Sequence, residues 1–446
     1  MRRLVHDVRA LPQGPRPWCA GAVVVAGRGP VIAVAEAAGW AVRYAGAGGG
    51  VPAYRTTESR AEDGVENRAE SRAEDGIENR AESPAESHAE SRAESPAPTS
   101  TESPTETSAK RPTGTSAAHL AGSPADPTPV DLPPADRVPM TVDTPFDLAS
   151  LTKLCTTIAA VQQLERGALA LDEPVARYAP ECTGAAAHGI TVRQLLTHTS
   201  GLRPELPLYE LPDVPSRLRA LRTEVPSGER GAYVYSDLNM LLLQEVLQRV
   251  TGRRLDLLIR DGITRPLGMT GTRFGPCPGA AATEDQRRPW AKADRGMLRG
   301  EVHDENAWAL GGVAGHAGLF GTARDLAVLC RTLLNGGTYG AARILGPDHV
   351  RLMLAAPGLG FGVDQAWFMG ELAGRGAAGH TGFTGTSLVL DSATDTFLVL
   401  LANTVHPRRQ PPDNGPRVRA ATSLARAVAA GPAPGAARRA PAPAGH

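Results

Sequence analysis

The chain has 446 residues, 47 basic and 47 acidic side chains, and 41% hydrophobic residues. That length supports a large core, and the zero formal charge excludes a chain-wide field for nucleic acid or an anionic membrane. Five scattered cysteines (Cys19, Cys155, Cys182, Cys277, Cys330) form no CxxC pair, which argues against a disulfide framework or a zinc ribbon.

"MRRLVHDVRALPQG" places two arginines after Met1, but no apolar run follows, so no signal peptide is predicted. "CAGAVVVAG" is too short to span a bilayer. The expectation is a cytoplasmic protein with no membrane and no nucleic-acid partner. "AGAVVVAG" and "PVIAVAEAAGWAVRYAG" predict two strands turned at Arg28-Gly29-Pro30. The glycine run "GAGGGV" lacks the following helix that a nucleotide site needs.

Composition then changes. Residues 55 to 110 hold 14 acidic and 7 basic side chains, a net charge of −7, so the remainder carries +7. No aromatic occurs there, and Val65 and Ile77 are its large aliphatics. "SRAEDGVENRAE" repeats almost unchanged as "SRAEDGIENRAE". With so little to bury, residues 55–129 are predicted to be a disordered acidic insert; the alternative is a docking tail for an unidentified partner. "GPAPGAARRAPAPAGH" at 431–446 predicts a disordered tail.

"FDLASLTKLCTTIAAVQQLERG" predicts a buried helix running from Ser150, with Leu151, Leu154, Ile158, Val161 and Leu164 on one face. "TVRQLLTHTSG" predicts a helix stopping at Gly201, "SDLNMLLLQEVLQRVTG" one capped by Ser236 or Asp237, and "TARDLAVLCRTLLNGG" another. "GTSLVLDSATDTFLVLLAN" predicts a hairpin turning near Ala393-Thr394. Strands at both ends around a helical middle imply one sheet built from both termini. The domain reading is a sheet domain over 1–54 and 300–430, the insert, a nucleophile helix with helical subdomain over 130–299, and the tail.

Lys153 lies three residues after Ser150, so the two share a helical face. A serine hydroxyl becomes a strong nucleophile when a neighbour takes its proton, and a lysine with lowered pKa can do so. The plainer reading is a capping serine and a snorkelling lysine. Two further stretches weigh against it: "YVYSDLN" supplies Tyr235, Ser236 and Asp237, and "GHTGFTG" supplies His380, Thr381 and Gly382.

These three motifs in this order resemble the serine β-lactamase, penicillin-binding protein and esterase superfamily: S-x-x-K, then Y-x-N or S-x-N, then K-T-G or H-T-G. Tyr235 leads the second motif, 85 positions after Ser150, as in the class C-like branch. The resemblance covers roughly residues 20–430 without the insert. It implies an α/β (α+β) fold with an antiparallel sheet flanked by helices, a helical subdomain alongside and the site between them. It implies Ser150 as nucleophile, Lys153 and Tyr235 sharing the proton, and an oxyanion hole from the backbone amides of Ser150 and Phe383. His380, Thr381 and Gly382 would line the substrate side, and no cofactor is implied.

Two positions depart from the class C pattern. Asp237 stands where asparagine is usual; a carboxylate accepts but does not donate. It could pair with Lys153 and keep it charged, which favours Tyr235 as base, or simply cap the helix. His380 replaces lysine, and neutral histidine holds a substrate carboxylate less well. An unperturbed histidine titrates near pH ~6.5, so preference for carboxylate-bearing substrates is expected to rise between pH 8 and 6.

"GEVHDENAWALGGVAGHAGLF" carries Glu301, His303, Asp304, Glu305 and His316, read as a pocket-lining loop because the spacing fits no metal signature. His198 is read as pocket wall or a satisfied structural histidine, and Trp18, Trp40, Trp308 and Trp367 as core or pocket wall. The expected activity is a metal-independent serine hydrolase acting on small esters, amides or peptides. The alternatives are a β-lactamase or D-Ala-D-Ala carboxypeptidase, and a catalytically silent binding protein.

Overall fold

The computed structural model describes residues 1–46 and 129–431. The predicted acidic insert, apart from Pro129, and the tail beyond Gly431 lie outside the described residues. One antiparallel sheet draws on both ends of the chain. Its strands are β1 (Gly21–Arg28), β2 (Val31–Val42), β3 (Val138–Pro139), β4 (Gly362–Val363), β5 (Ala378–Thr381), β6 (Ser387–Asp391) and β7 (Thr396–Ala402). They lie in the order β4-β5-β6-β7-β1-β2-β3. Val24 pairs with Leu400 across β1 and β7, and with Glu36 across β1 and β2.

The central strands are apolar without interruption because both faces are covered. Ala22, Val24, Ala26, Leu398 and Leu400 point into one core with Leu4, Val8 and Leu424. These come from helices α1 (Arg2–Ala10) and α5 (Gly415–Ala429). Val23, Val25, Val399 and Leu401 point the other way, into the main core. Helix α4 (Ala323–Leu334) packs on that face against β1, β6 and β7. The period-two alternation of a strand thus feeds two cores at once.

The main core surrounds helix α2 (Thr152–Glu165). Every residue from Thr152 to Gln163 is buried, so the single apolar face expected from the sequence is replaced by burial all round. Two of its polar side chains reach distant carbonyls: Thr156 Oγ1 donates to Gly315 O at 2.8 Å, and Gln162 Nε2 to Gly262 O and Ile344 O, whereas Thr157 Oγ1 has no hydrogen-bond partner among the described residues. Helix α3 (Asp237–Thr251) packs beside it and ends on Gly252 in the left-handed conformation. The helix expected to reach Gly201 runs from Val192 to Leu196, opened by the Thr191/Gln194 capping box. His198 then adopts φ 56°, which ends the helical run early.

Ser150 sits in a tight turn, Ala149–Leu151, just before α2. The loop after β5 is tied to this turn: Thr384 Oγ1 donates to Asp147 O at 2.8 Å and Thr386 Oγ1 to Leu148 O at 3.0 Å. A Cβ on Gly382 would lie 2.6 Å from Leu148 O and collide with Thr386 Oγ1. Glycine there lets β5 close on the Ser150 turn.

Candidate active site

The co-facial placement of Ser150 and Lys153 is met in the structure: Lys153 Nζ donates to Ser150 Oγ at 2.9 Å. Lys153 is fully buried yet compensated. Its ammonium pairs with Asp237 Oδ1 at 2.8 Å and donates to His316 O at 3.2 Å. Burial alone would depress its pKa; Asp237 and Tyr235 outweigh that and hold it above the ordinary lysine value. Asp237 at the start of α3 is therefore the partner that keeps Lys153 charged.

Tyr235 stands between two histidines, its ring centroid 4.8 Å from His198 and 5.9 Å from His380. The Lys153 ammonium lies 5.0 Å from that centroid. Burial pushes the phenol pKa up, against the opposing field of Lys153. His198 Nδ1 accepts from Ser236 N at 3.2 Å, which leaves its proton on Nε2. Burial drops its pKa to about 3, so it is neutral and props Tyr235 from behind.

His380 Nδ1 donates to Thr381 O at 2.7 Å, and burial pushes its pKa down to about 4. The titration expected between pH 8 and 6 is therefore displaced below pH 5. His380, Thr381, Gly382 and Phe383 follow one another along the end of β5 and its loop. Phe383 is 56% exposed, and the His303 ring stacks on it at 5.4 Å. His303 itself is buried and donates from Nε2 to Glu284 Oε2 at 2.9 Å. Arg409 bridges Glu284 and Glu305 at 2.7 Å each, beneath the Phe383 ring. His303 thus acts as a support for Phe383. Trp367, expected as core or wall, is half exposed.

Sequence reasoning missed several supports. Asp147 accepts from Ala149 N at 2.8 Å and from His303 N at 2.6 Å, joining the Ser150 turn to the polar loop. Ala149 is held at φ 46°, an uncommon conformation for a residue with a Cβ, one position before Ser150. Glu284 and Arg409 lie 125 positions apart, so no local pattern announces them. His316 and Asp304, read only as loop polar residues, form a part-buried pair at 2.8 Å beside Asp237. Burial lowers the His316 pKa, but Asp304 outweighs it and raises the net value. Asp237, Asp304 and His316 bring one ligand atom each within 4.8 Å. This trio has the donor set for a cation, and Lys153 already supplies positive charge to it.

The family model described as Beta-lactamase matches residues 133–423, more than half of the chain. A protein of Escherichia coli K12 named "Putative D-alanyl-D-alanine carboxypeptidase" is 33% identical over 321 residues, covering 63% of this chain and 74% of that one. The solved structure of EstCE1, a hydrolase with promiscuous acyltransferase activity, superposes with TM-score 0.59 at 20% identity, covering 95% of this chain and 98% of that one. A class C β-lactamase from Rhodobacter sphaeroides gives TM-score 0.51 at 25% identity over 66% of this chain and 89% of that one. With the three motifs converging at the end of β5 and the starts of α2 and α3, the chain belongs to the Beta-lactamase family of serine hydrolases.

Proposed function

We propose that the protein hydrolyses small esters or amides through a covalent acyl-enzyme on Ser150. The observation that carries this reading is the Ser150–Lys153–Asp237 chain of contacts at 2.9 and 2.8 Å, with Tyr235 over the same ammonium. Ser150 Oγ attacks the carbonyl carbon while its proton passes to the Tyr235 oxygen in its phenolate form. Lys153 remains an ammonium and stabilises both the phenolate and the developing alkoxide. The carbonyl oxygen takes the negative charge and meets the backbone N–H groups of Ser150 and Phe383. Tyr235 then protonates the leaving group, and water repeats the sequence to release the acid.

The neutral His380 supports a substrate without a carboxylate at that position. The names of the relatives favour a second reading, carboxypeptidase action on a D-Ala-D-Ala peptide. Intact mass after a fluorophosphonate, and separately after penicillin, tests both. A fluorophosphonate adduct mapped to Ser150, with little or no penicillin adduct, is expected. A rapid penicillin adduct would favour the second reading, and no Ser150 adduct with either would refute the acyl-enzyme.

A further inference from the structure

Arg417 sits in the first turn of α5 and is 9% exposed. Its Nη2 donates to Gly382 O at 3.2 Å and to Thr386 O at 3.4 Å, and its Nη1 to Asn414 Oδ1 at 2.6 Å. The guanidinium lies 5.5 Å from the Trp18 ring. Nε has no hydrogen-bond partner; the Asp413 carboxylate favours the charge through space, with no direct ion pair to Arg417 among the described residues. Burial pushes its pKa down to about 10, so it remains charged at neutral pH.

A buried cation held by no direct ion pair is destabilising unless something else retains it. Satisfying the two carbonyls does not require it. Gly382 O already accepts from Gly385 N at 3.1 Å, and Thr386 O from Gly382 N at 2.7 Å. What Arg417 adds is its field and one direction of pull. Gly382 C=O and Phe383 N–H are the two ends of one peptide group. A cation donating to that carbonyl withdraws electron density from the nitrogen and strengthens the N–H as a donor.

We propose that Arg417 is a positioning residue that fixes and polarises the Gly382–Phe383 peptide, making Phe383 N–H a stronger donor to the oxyanion. This rests on the reading that the amides of Phe383 and Ser150 face the oxyanion. Removing a whole oxyanion donor lowers turnover on the order of 10²–10³-fold. Polarisation strengthens a hydrogen bond by about 10–30%, so its loss corresponds to about twofold to eightfold.

The full chain and its Arg417→Met and Arg417→Lys variants are compared, after fluorophosphonate labelling of Ser150 is established in each. Three quantities are read: kcat/KM for p-nitrophenyl acetate, Kd for phenylboronic acid, and the infrared stretch of a ¹³C-labelled acyl carbonyl. Arg417→Met is expected to lower kcat/KM and weaken phenylboronic acid by about twofold to eightfold. Its acyl carbonyl should absorb at higher frequency, and its melting temperature should be unchanged or raised. Arg417→Lys, which keeps the charge, should recover part of each loss. Wild-type values for boronate affinity and carbonyl stretch in Arg417→Met would overturn the proposal while leaving the acyl-enzyme intact. A loss that only tracks a lowered melting temperature would overturn it too. Failure to label Ser150 in the wild type would remove the underlying reading and this inference with it.

Discussion

Replacing Asp237 with asparagine tests which group takes the serine proton. The substitution is nearly isosteric and removes one charge. Lys153 would then be a buried ammonium without its carboxylate, since that ion pair is at 2.8 Å and the lysine side chain is wholly buried. At an effective dielectric constant of 20, a pair at that distance contributes about 6 kcal/mol of Coulomb attraction, an upper figure. Burial without compensation lowers a lysine pKa by about 3–5 units. Lys153 in Asp237→Asn should therefore become neutral near pH 7 and able to serve as base itself. In the wild type the ammonium persists, and the base is a phenol whose pKa burial raises above its ordinary value. Wild-type kcat/KM on p-nitrophenyl acetate should climb about tenfold per pH unit from pH 7 to 9, with no plateau. Asp237→Asn should move the acid limb down by about 3–5 pH units and reach its plateau near pH 7. The assay is initial rate against pH, corrected for spontaneous hydrolysis. Superimposable profiles for the two proteins would refute the assignment of Lys153 as a permanent cation.

Other outcomes follow from the same geometry. Ser150→Ala should lower turnover on the order of 10³-fold or more; Tyr235→Phe should be comparably severe, and the double variant little worse than either, by steady-state kinetics. The ratio of kcat/KM for a carboxylate-bearing substrate over its neutral ester analogue should stay flat from pH 8 to 6, because His380 is neutral throughout. In His380→Lys that ratio should be higher by roughly tenfold at pH 8. Glu284 is held at about 2 against an ordinary 4.5; burial opposes this, and His303 and Arg409 overcome it. A depressed carboxylate contributes stability above its unfolded pKa and loses it as pH falls, so the protein should lose about 3 kcal/mol between pH ~4.5 and ~2 from this group, read by denaturant melts. Excising residues 56–128 with a short Gly/Ser linker should leave ester turnover unchanged, since Ala45 N already donates to Val130 O at 2.9 Å.

The fold and the three motifs were legible because they are written locally. The valines of β1, the glycine after α3 and the three-residue step from Ser150 to Lys153 each obey a short-range rule. The resemblance then supplied their order in space. What stayed hidden depends on distant partners. For Asp237 the sequence left two readings, a helix cap or a partner to Lys153, and only the 2.8 Å contact across 84 positions favours the second. Histidine titration depends on the same distant packing: the sequence gives His380 a free imidazole, and burial in the fold moves it well below pH 6. His303 carried a polar motif but spends it on Glu284, which no spacing rule connects to it. The apolar stripe on α2 was real, yet elements from three sides cover the helix, so its polar positions are buried as well.

The account turns on an acyl group carried by Ser150. Acid quenching during turnover of p-nitrophenyl acetate, followed by intact mass and peptide mapping, measures this directly. One acetyl group per chain is expected, on the peptide containing Ser150, rising in a burst with p-nitrophenol and absent in Ser150→Ala. Turnover without any acetylated chain, or acetyl groups on other residues while Ser150→Ala keeps its rate, would contradict the mechanism.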